Sequence, residues 1–356
     1  MERSEQNSGT MDVRSSHRFD TAPLEAWMKE NIAGFGAPLE VEQFRGGQSN
    51  PTYKLRAGGR AFVLRRKPPG KLLPGAHAVE REYRVLAALA TQGFPVPAVH
   101  GLCLDDSVIG TPFYVMDMVE GRIFWDADLP QVPRQTRAAY FDAMNATIAR
   151  LHAIDPEAAG LGDYGKAGNY FERQIGRWSR QYLGDVEAGR VPSMDRLVEW
   201  LPANIPASAG DESRVIHGDF RCDNMIFHPS EPRVLAVLDW ELSTLGHPLA
   251  DFAYHLMMYR MPAGATTGLA GLDLAALGIP SEADYVAAYC RRTGRDGIGD
   301  LDFYIAFNMF RLAAIVHGIK GRLARGTASS AHADRMAASL EPLADLAWGQ
   351  AVRAGG

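Results

Sequence analysis

Cysteine is scarce in this sequence, with only Cys103, Cys222 and Cys290 in 356 residues. The three lie far apart and are odd in number, so they form neither a disulfide framework nor a zinc-binding pattern. This usage is typical of a reducing compartment, and we expect a cytoplasmic location.

Two further absences narrow the class of protein. No run approaches the ~18 consecutive apolar residues of a membrane span, and residues 1–20 are polar without an apolar signal core, so we expect a flexible tail there. Positive charge is not in excess, since 37 Lys and Arg face 42 Asp and Glu, a net charge of -5. Nucleic-acid binders usually carry a surplus of basic residues, so we expect no nucleic-acid partner. Because the sequence has no apolar run of membrane-spanning length, we expect no membrane association either.

Hydrophobic periodicity divides the chain near Gly121. Before it, helices are predicted over 21–33 and 77–90, and strands over 41–44, 52–55, 61–65, 98–104 and 113–119. After it, helices are predicted over 134–153, 169–183, 194–204, 247–260, 281–293, 300–324 and 330–353. We therefore expect an α+β, bilobal fold. It has a tail over 1–20, a small antiparallel-sheet N-terminal lobe over 21–120 and a larger helical C-terminal lobe over 121–356.

One polar loop between apolar runs carries the chemistry. Asp219 and Asn224 are five residues apart, and Asp239 ends a second apolar run fifteen residues later. Protein kinases place a catalytic Asp, an Asn and a metal-binding Asp in this order. Each residue alone could simply close a turn, but together they predict phosphoryl transfer from ATP. Asp219 is then the base, and Asn224 and Asp239 are oxygen ligands for Mg²⁺.

The surrounding residues resemble those of a known family. His217-Gly218-Asp219 with Asn224, then Leu238-Asp239-Trp240-Glu241, then Gly246 to Asp251, resemble the aminoglycoside phosphotransferase/choline kinase family. Residues 62–70 resemble a subgroup that also occurs fused to acyl-CoA dehydrogenases. The resemblance implies a protein-kinase-like fold, the cofactors ATP and Mg²⁺, and a small-molecule hydroxyl as acceptor.

Further residues are assigned around the loop that carries Asp219, which is called the catalytic loop below. Asp251 would hold the backbone of the catalytic loop, and His217 is interpreted as an organiser of that loop. Glu241 could approach a second metal ion, the substrate or only solvent. A protein kinase is disfavoured because no Ala-Pro-Glu sequence closes an activation segment after Asp239.

The nucleotide phosphates are assigned to a glycine-rich turn and a cation. Gly46, Gly47 and Ser49 would cover the phosphates, because glycines let backbone N–H groups approach them. Arg65 stands where the family usually has a phosphate-gripping lysine. Arg65 keeps the charge but not the geometry of lysine, which leaves a catalytically impaired nucleotide-binding scaffold as the alternative function. Lys67 is the alternative residue for binding the phosphates.

The partner of Arg65 is predicted on the next helix. Glu82 would pair with Arg65, with Glu80 as the competitor and a solvated helix face as the structural alternative. At the end of the apolar run that follows, Met116 would line the adenine pocket. Backbone groups of Asp117 and Val119 would meet adenine, although an ordinary core strand explains the same apolarity.

Acceptor recognition is assigned to the helical lobe. The candidates are Arg221, Asp223, Tyr254, Tyr304, Asn308 and Arg311, and a buried structural network explains the last three equally well. Basic residues near the C-terminal helices leave room for an anionic acceptor such as a hydroxyacyl-CoA.

Overall fold

A computed structural model describes residues 8–46, 50–70, 77–264, 268–327 and 333–356. Contacts divide the chain into two compact units. The first comprises Met1–Trp125, Ala159–Leu161 and Arg221–Ser243, and the second comprises Asp126–Ala158, Gly162–Phe220 and Thr244–Gly356. This division differs from the expected boundary at residue 120, because a later segment of the chain joins the first unit. The described helices are all too short or too polar to cross a membrane.

A six-stranded antiparallel sheet forms the first unit. Its strands are β1 Thr10–Met11, β2 Glu40–Phe44, β3 Thr52–Ala57, β4 Arg60–Arg66, β5 Val99–Cys103 and β6 Phe113–Asp117, in the order β1-β2-β3-β4-β6-β5. Gly58 and Gly59 turn β3 into β4 with φ values of 56° and 78°, a conformation that glycine adopts without steric cost. The α+β class and the five strands predicted from the sequence are confirmed.

The segment expected to be a tail contains the edge strand β1. Thr10 and Met11 pair with Phe44 and Gln43 of β2. The Tyr53 hydroxyl donates to the His17 carbonyl at 2.9 Å. Residues 10–17 are therefore attached to the sheet, which hydrophobic periodicity could not reveal in so polar a stretch.

Three helices accompany the sheet: α1 Thr21–Asn31, α2 Val79–Thr91 and α3 Asp106–Ile109. Asp20 caps α1 by accepting from the Ala22 N–H at 3.0 Å. Leu24 and Met28 of α1 are fully buried in the core with Tyr53, Phe62, Leu64 and Phe113 of the strands. This core holds strand β4 and therefore the backbone of Arg65.

A hairpin from far along the chain completes the first unit. Its strands are β8 Met225–Phe227 and β9 Val234–Val237. Arg122 and Phe227 exchange two backbone hydrogen bonds of 2.8 Å, and the Val237 N–H donates to the Pro95 carbonyl at 2.8 Å. A Cβ at Gly121 would overlap the Phe227 carbonyl, which accounts for a glycine at that position.

The second unit is helical, with one short antiparallel pair, β7 Arg214–Ile216 and β10 Thr244–Gly246. Its helices are α4 Arg134–Ala153, α5 Tyr170–Gly184, α6 Pro192–Ala203, α7 Pro248–Arg260, α8 Leu274–Leu277, α9 Glu282–Thr293, α10 Leu301–Ala324, α11 Ala333–Ala338 and α12 Leu340–Arg353. Helix α10 packs against α12, α7 and α5. The predicted helix over 330–353 is wrong as one element, because the chain breaks at Ser339 between α11 and α12.

Candidate active site

Arg65 is the centre of a buried ion cluster in the first unit. Its Nη2 lies 2.6 Å from Asp239 Oδ1 and 3.6 Å from Glu241 Oε2, and its Nε lies 2.8 Å from Glu82 Oε2. Arg65 is 8% exposed and Glu82 is 1% exposed. The predicted pair of Arg65 with Glu82 is present, whereas Glu80 pairs with Lys67 at 2.9 Å. Glu80, the alternative partner of Arg65, and Lys67, the alternative phosphate-binding cation, therefore form a separate ion pair.

Asn50 and Tyr114 hold the Glu82 carboxylate in place. The Asn50 amide donates to Glu82 Oε1 at 2.8 Å, and the Tyr114 hydroxyl donates to Oε2 at 3.1 Å. Asn50 is fully buried and also contacts His77 Nδ1 at 2.9 Å through its own oxygen. Sequence reasoning did not assign these roles. The only signal was a polar residue at the end of the glycine-rich turn and a tyrosine inside an apolar run.

The charges of this cluster depend on one another. Burial alone would lower the pKa of Arg65, but the carboxylates of Glu82 and Asp239 outweigh burial and raise that pKa above its ordinary value. Burial raises the pKa of Glu82, and Arg65 opposes this shift. Arg65 is therefore a permanent cation, and Glu82 depends on it and on its two donors to stay ionised.

Asn224 and Asp239 lie on neighbouring strand ends of the β8–β9 hairpin. The Leu238 N–H donates to the Asn224 carbonyl at 2.8 Å, which ties Asn224 to the residue before Asp239. Asp239 has φ 64° and ψ 62°, a left-handed conformation that few residues other than glycine adopt. Amide and carboxylate oxygens of this kind suit Mg²⁺, so the chemistry of the donor set fits the predicted metal ligands.

The other nucleotide-binding predictions fall partly outside the described residues. Gly47 and Ser49 lie there, while Gly46 is described and follows strand β2. Met116 is buried in β6. The Asp117 N–H donates to the Ala98 carbonyl at 2.8 Å, so any contact of Asp117 with adenine would use its carbonyl. Val119 follows β6, and its role stays a prediction.

In the second unit, α7 holds the loop that carries Asp219. Asp251 accepts from the backbone N–H of His217 at 2.8 Å and of Gly218 at 2.7 Å. The predicted role of Asp251 as a support of the loop backbone is thus confirmed. The His217 ring accepts from the Asp219 N–H at 3.2 Å, which confirms His217 as an organiser of the loop.

The acceptor candidates are mostly engaged within the protein. Asn308 is buried and donates to the carbonyls of Ala250 and Tyr304 at 2.8 and 2.9 Å. Arg311 donates to the Gly218 carbonyl at 3.0 Å. These contacts favour the buried network over acceptor binding. Arg221 pairs with Asp223 at 3.1 Å.

The comparisons with known proteins identify the family. Residues 40–304 match the model of the phosphotransferase enzyme family, and the chain belongs to this family. It is 44% identical over 349 residues to mouse acyl-CoA dehydrogenase family member 10, covering 97% of this chain and 32% of that protein. It is 45% identical to chicken acyl-CoA dehydrogenase family member 11, covering 95% of this chain and 44% of that protein. The chain therefore spans less than half the length of these relatives.

Solved structures agree with the family. A protein of Ralstonia eutropha JMP134, provisionally named an aminoglycoside phosphotransferase, is 52% identical with a TM-score of 0.87, over 94% of this chain and 99% of that one. An aminoglycoside phosphotransferase mutant in complex with ADP and hygromycin B shares the fold at 14% identity and a TM-score of 0.60, over 93% of this chain and 99% of that one. Choline kinase of Cryptosporidium parvum shares it at 10% identity and a TM-score of 0.62, over 94% of this chain and 95% of that one. The predicted resemblance and the protein-kinase-like fold are confirmed.

Proposed function

We propose that the protein transfers the γ-phosphoryl group of ATP to a hydroxyl of a small molecule. The observation that carries this proposal is the contact of Arg65 with both Glu82 and Asp239. It places a permanent cation, which can bind phosphate oxygens through its fork of donors, beside a carboxylate that can hold a metal ion. Nucleotide use is further supported by the ADP complex of the structural relative.

Each residue of the motif has a role in the proposed reaction. Asp219 would accept the proton of the acceptor hydroxyl. The hydroxyl oxygen would form a bond to the γ-phosphorus while the bond between the γ-phosphorus and the departing ADP oxygen breaks. Arg65 would bind phosphate oxygens, and Gly46, Gly47 and Ser49 would cover them. Asn224 and Asp239 would hold Mg²⁺, which when bound neutralises the charge that develops on the phosphoryl group.

We further propose a hydroxyacyl-CoA as the acceptor. The two curated relatives are named acyl-CoA dehydrogenases, and this chain aligns with less than half of each. A phosphotransferase joined to an acyl-CoA dehydrogenase would act on the same class of thioesters. Cytoplasmic location remains part of the proposal, supported by three cysteines that are all buried and free.

The test is a phosphoryl-transfer screen with Mg²⁺ and ATP. The acceptors are hydroxyacyl-CoA thioesters, aminoglycosides, choline-like alcohols and sugars. Asp219→Asn removes the base without changing its size, and we expect turnover to fall by about 10²- to 10⁴-fold. Asp273→Asn is the matched control, because Asp273 only caps helix α8 and asparagine caps equally well.

A nucleotide-binding scaffold is the second candidate, favoured by the arginine at position 65 and its direct contact with Asp239. A thermal shift with ATP and Mg²⁺ but no transfer to any acceptor would support the scaffold. Turnover that survives Asp219→Asn would show that the base has been assigned wrongly.

A further inference from the structure

Helix α7 contacts the catalytic loop through two side chains that lie one turn apart. Asp251 binds the backbone N–H groups of His217 and Gly218. Residues three apart share a face of a helix, so Tyr254 faces the same loop. Its hydroxyl donates to Asp219 Oδ1 at 2.5 Å. One face of α7 therefore holds both the backbone of the loop and the carboxylate that the loop presents.

Arg311 of α10 contacts the ring of Tyr254. Its guanidinium lies 5.4 Å from the centroid of the Tyr254 ring, within the range of a cation–π contact. The same group donates to the Gly218 carbonyl. Arg311 thus contacts both the loop and the ring, and it limits the rotation of Tyr254 away from Asp219.

We infer that Tyr254 is a positioning residue that orients the Asp219 carboxylate toward the acceptor hydroxyl. This inference rests on the proposed function, because it assumes that Asp219 is the base. A carboxylate can rotate about its terminal bond, since such torsions have broad preferences. A hydrogen bond from a neutral donor to an ionised acceptor is short and strong. Tyr254 therefore keeps Asp219 in one orientation before the acceptor binds, which lowers the entropy lost in reaching the transition state.

The experiment compares two tyrosines of the same helix. Tyr254→Phe removes only the hydroxyl that binds Asp219. Tyr259→Phe is the matched control, because Tyr259 is buried in α7 and donates to the Pro280 carbonyl at 3.1 Å. Each variant loses one part-buried hydrogen bond of a tyrosine hydroxyl, so a difference between them reports on the contact with Asp219.

We expect Tyr254→Phe to lower kcat by roughly 10- to 100-fold, the equivalent of one hydrogen bond to a charged group. The KM for ATP should stay within about twofold of that of the unmodified protein, because uniform binding is not affected. Tyr259→Phe should leave kcat unchanged. A Tyr254→Phe variant with unchanged kcat, or with only a raised KM for the acceptor, would overturn the inference.

A second readout separates this inference from the proposed function. The carboxyl ¹³C resonance of Asp219, identified by its loss in Asp219→Asn, should move in Tyr254→Phe and not in Tyr259→Phe. If no acceptor is phosphorylated but the resonance moves, the proposed function fails while the contact stands. If the resonance does not move in Tyr254→Phe, the positioning role is wrong whatever the enzyme turns over.

Discussion

The guanidinium of Arg65 lies 2.6 Å from Asp239 and 2.8 Å from Glu82. Two different nitrogens make these contacts, so one side chain joins Glu82 of helix α2 to Asp239, the residue that follows strand β9 and Leu238. A lysine has a single nitrogen and could not reproduce both contacts in this geometry. Arginine at position 65 is therefore part of the structure of the cluster as well as the cation that we propose for binding phosphate.

Removing this cation should destabilise the protein strongly. Arg65→Met leaves Glu82 buried without its positive partner, and we expect the free energy of unfolding in urea to fall by about 3–5 kcal/mol. Adding Glu82→Gln should recover part of the loss, because the second change removes the unpaired charge. Additive effects of the two changes would show that the residues do not interact.

The buried amide of Asn50 gives a second test of the cluster. Asn50→Asp replaces a donor to Glu82 with a like charge, and we expect a loss of about 3 kcal/mol in the free energy of unfolding. Asn31→Asp serves as the control, since the amide of Asn31 is exposed and only donates to the Trp27 carbonyl. It should cost about 0.5 kcal/mol. Equal losses in the two variants would contradict the role assigned to Asn50.

His255 should make stability depend on pH. Its Nδ1 contacts the Phe220 carbonyl at 3.1 Å and therefore donates, so Nε2 accepts from Tyr285 at 2.7 Å. Burial lowers the pKa of His255 to about 4. Between the ordinary value of about 6.5 and 4, the unfolded chain binds a proton that the folded protein does not. Stability is therefore lost as the pH falls through this window.

The measurement is urea unfolding at pH values between about 7 and about 4. Burial of His255 should contribute up to about 3 kcal/mol to the loss. His255→Gln cannot take up a proton, so its stability should fall less steeply over the same range. Parallel curves for the two proteins would exclude His255 as the source.

Gly218 should be required for the shape of the loop that carries Asp219. Its φ of 83° is unfavourable for residues with a Cβ, so Gly218→Ala should cost about 1–2 kcal/mol of stability and lower turnover. Gly294→Ala is the control, because Gly294 has φ 68° at the end of α9 with open space around it. It should cost a similar amount and leave turnover unchanged. Full activity in Gly218→Ala would show that the loop tolerates another backbone conformation.

Hydrophobic periodicity in short windows of the sequence predicted most helices and strands. The candidate site depends on contacts between residues far apart in the sequence, which periodicity does not encode. Strand β4 and helix α10 were found because alternation and helical periodicity are properties of short windows. The break at Ser339 is not apparent from the pattern because alanine-rich sequence favours helix on both sides, and Pro342 lies in the first turn of α12, where helices tolerate proline. The pair of Arg65 with Glu82 came from the resemblance. The bond from Tyr254 to Asp219 spans 35 residues, and no periodicity relates the two positions.

The first unit is built from separate parts of the chain, and this has a consequence for synthesis. A ribosome has delivered all six strands of the sheet by Asp117, but the hairpin that binds Pro95 and Arg122 ends only at Val237. At a synthesis rate of roughly 5–20 residues per second, several seconds pass before the hairpin is available to bind the backbone groups of Pro95 and Arg122. Arg65 cannot contact Asp239 any earlier, so its ion cluster forms only after the first two segments of the second unit, Asp126–Ala158 and Gly162–Phe220, have been synthesised.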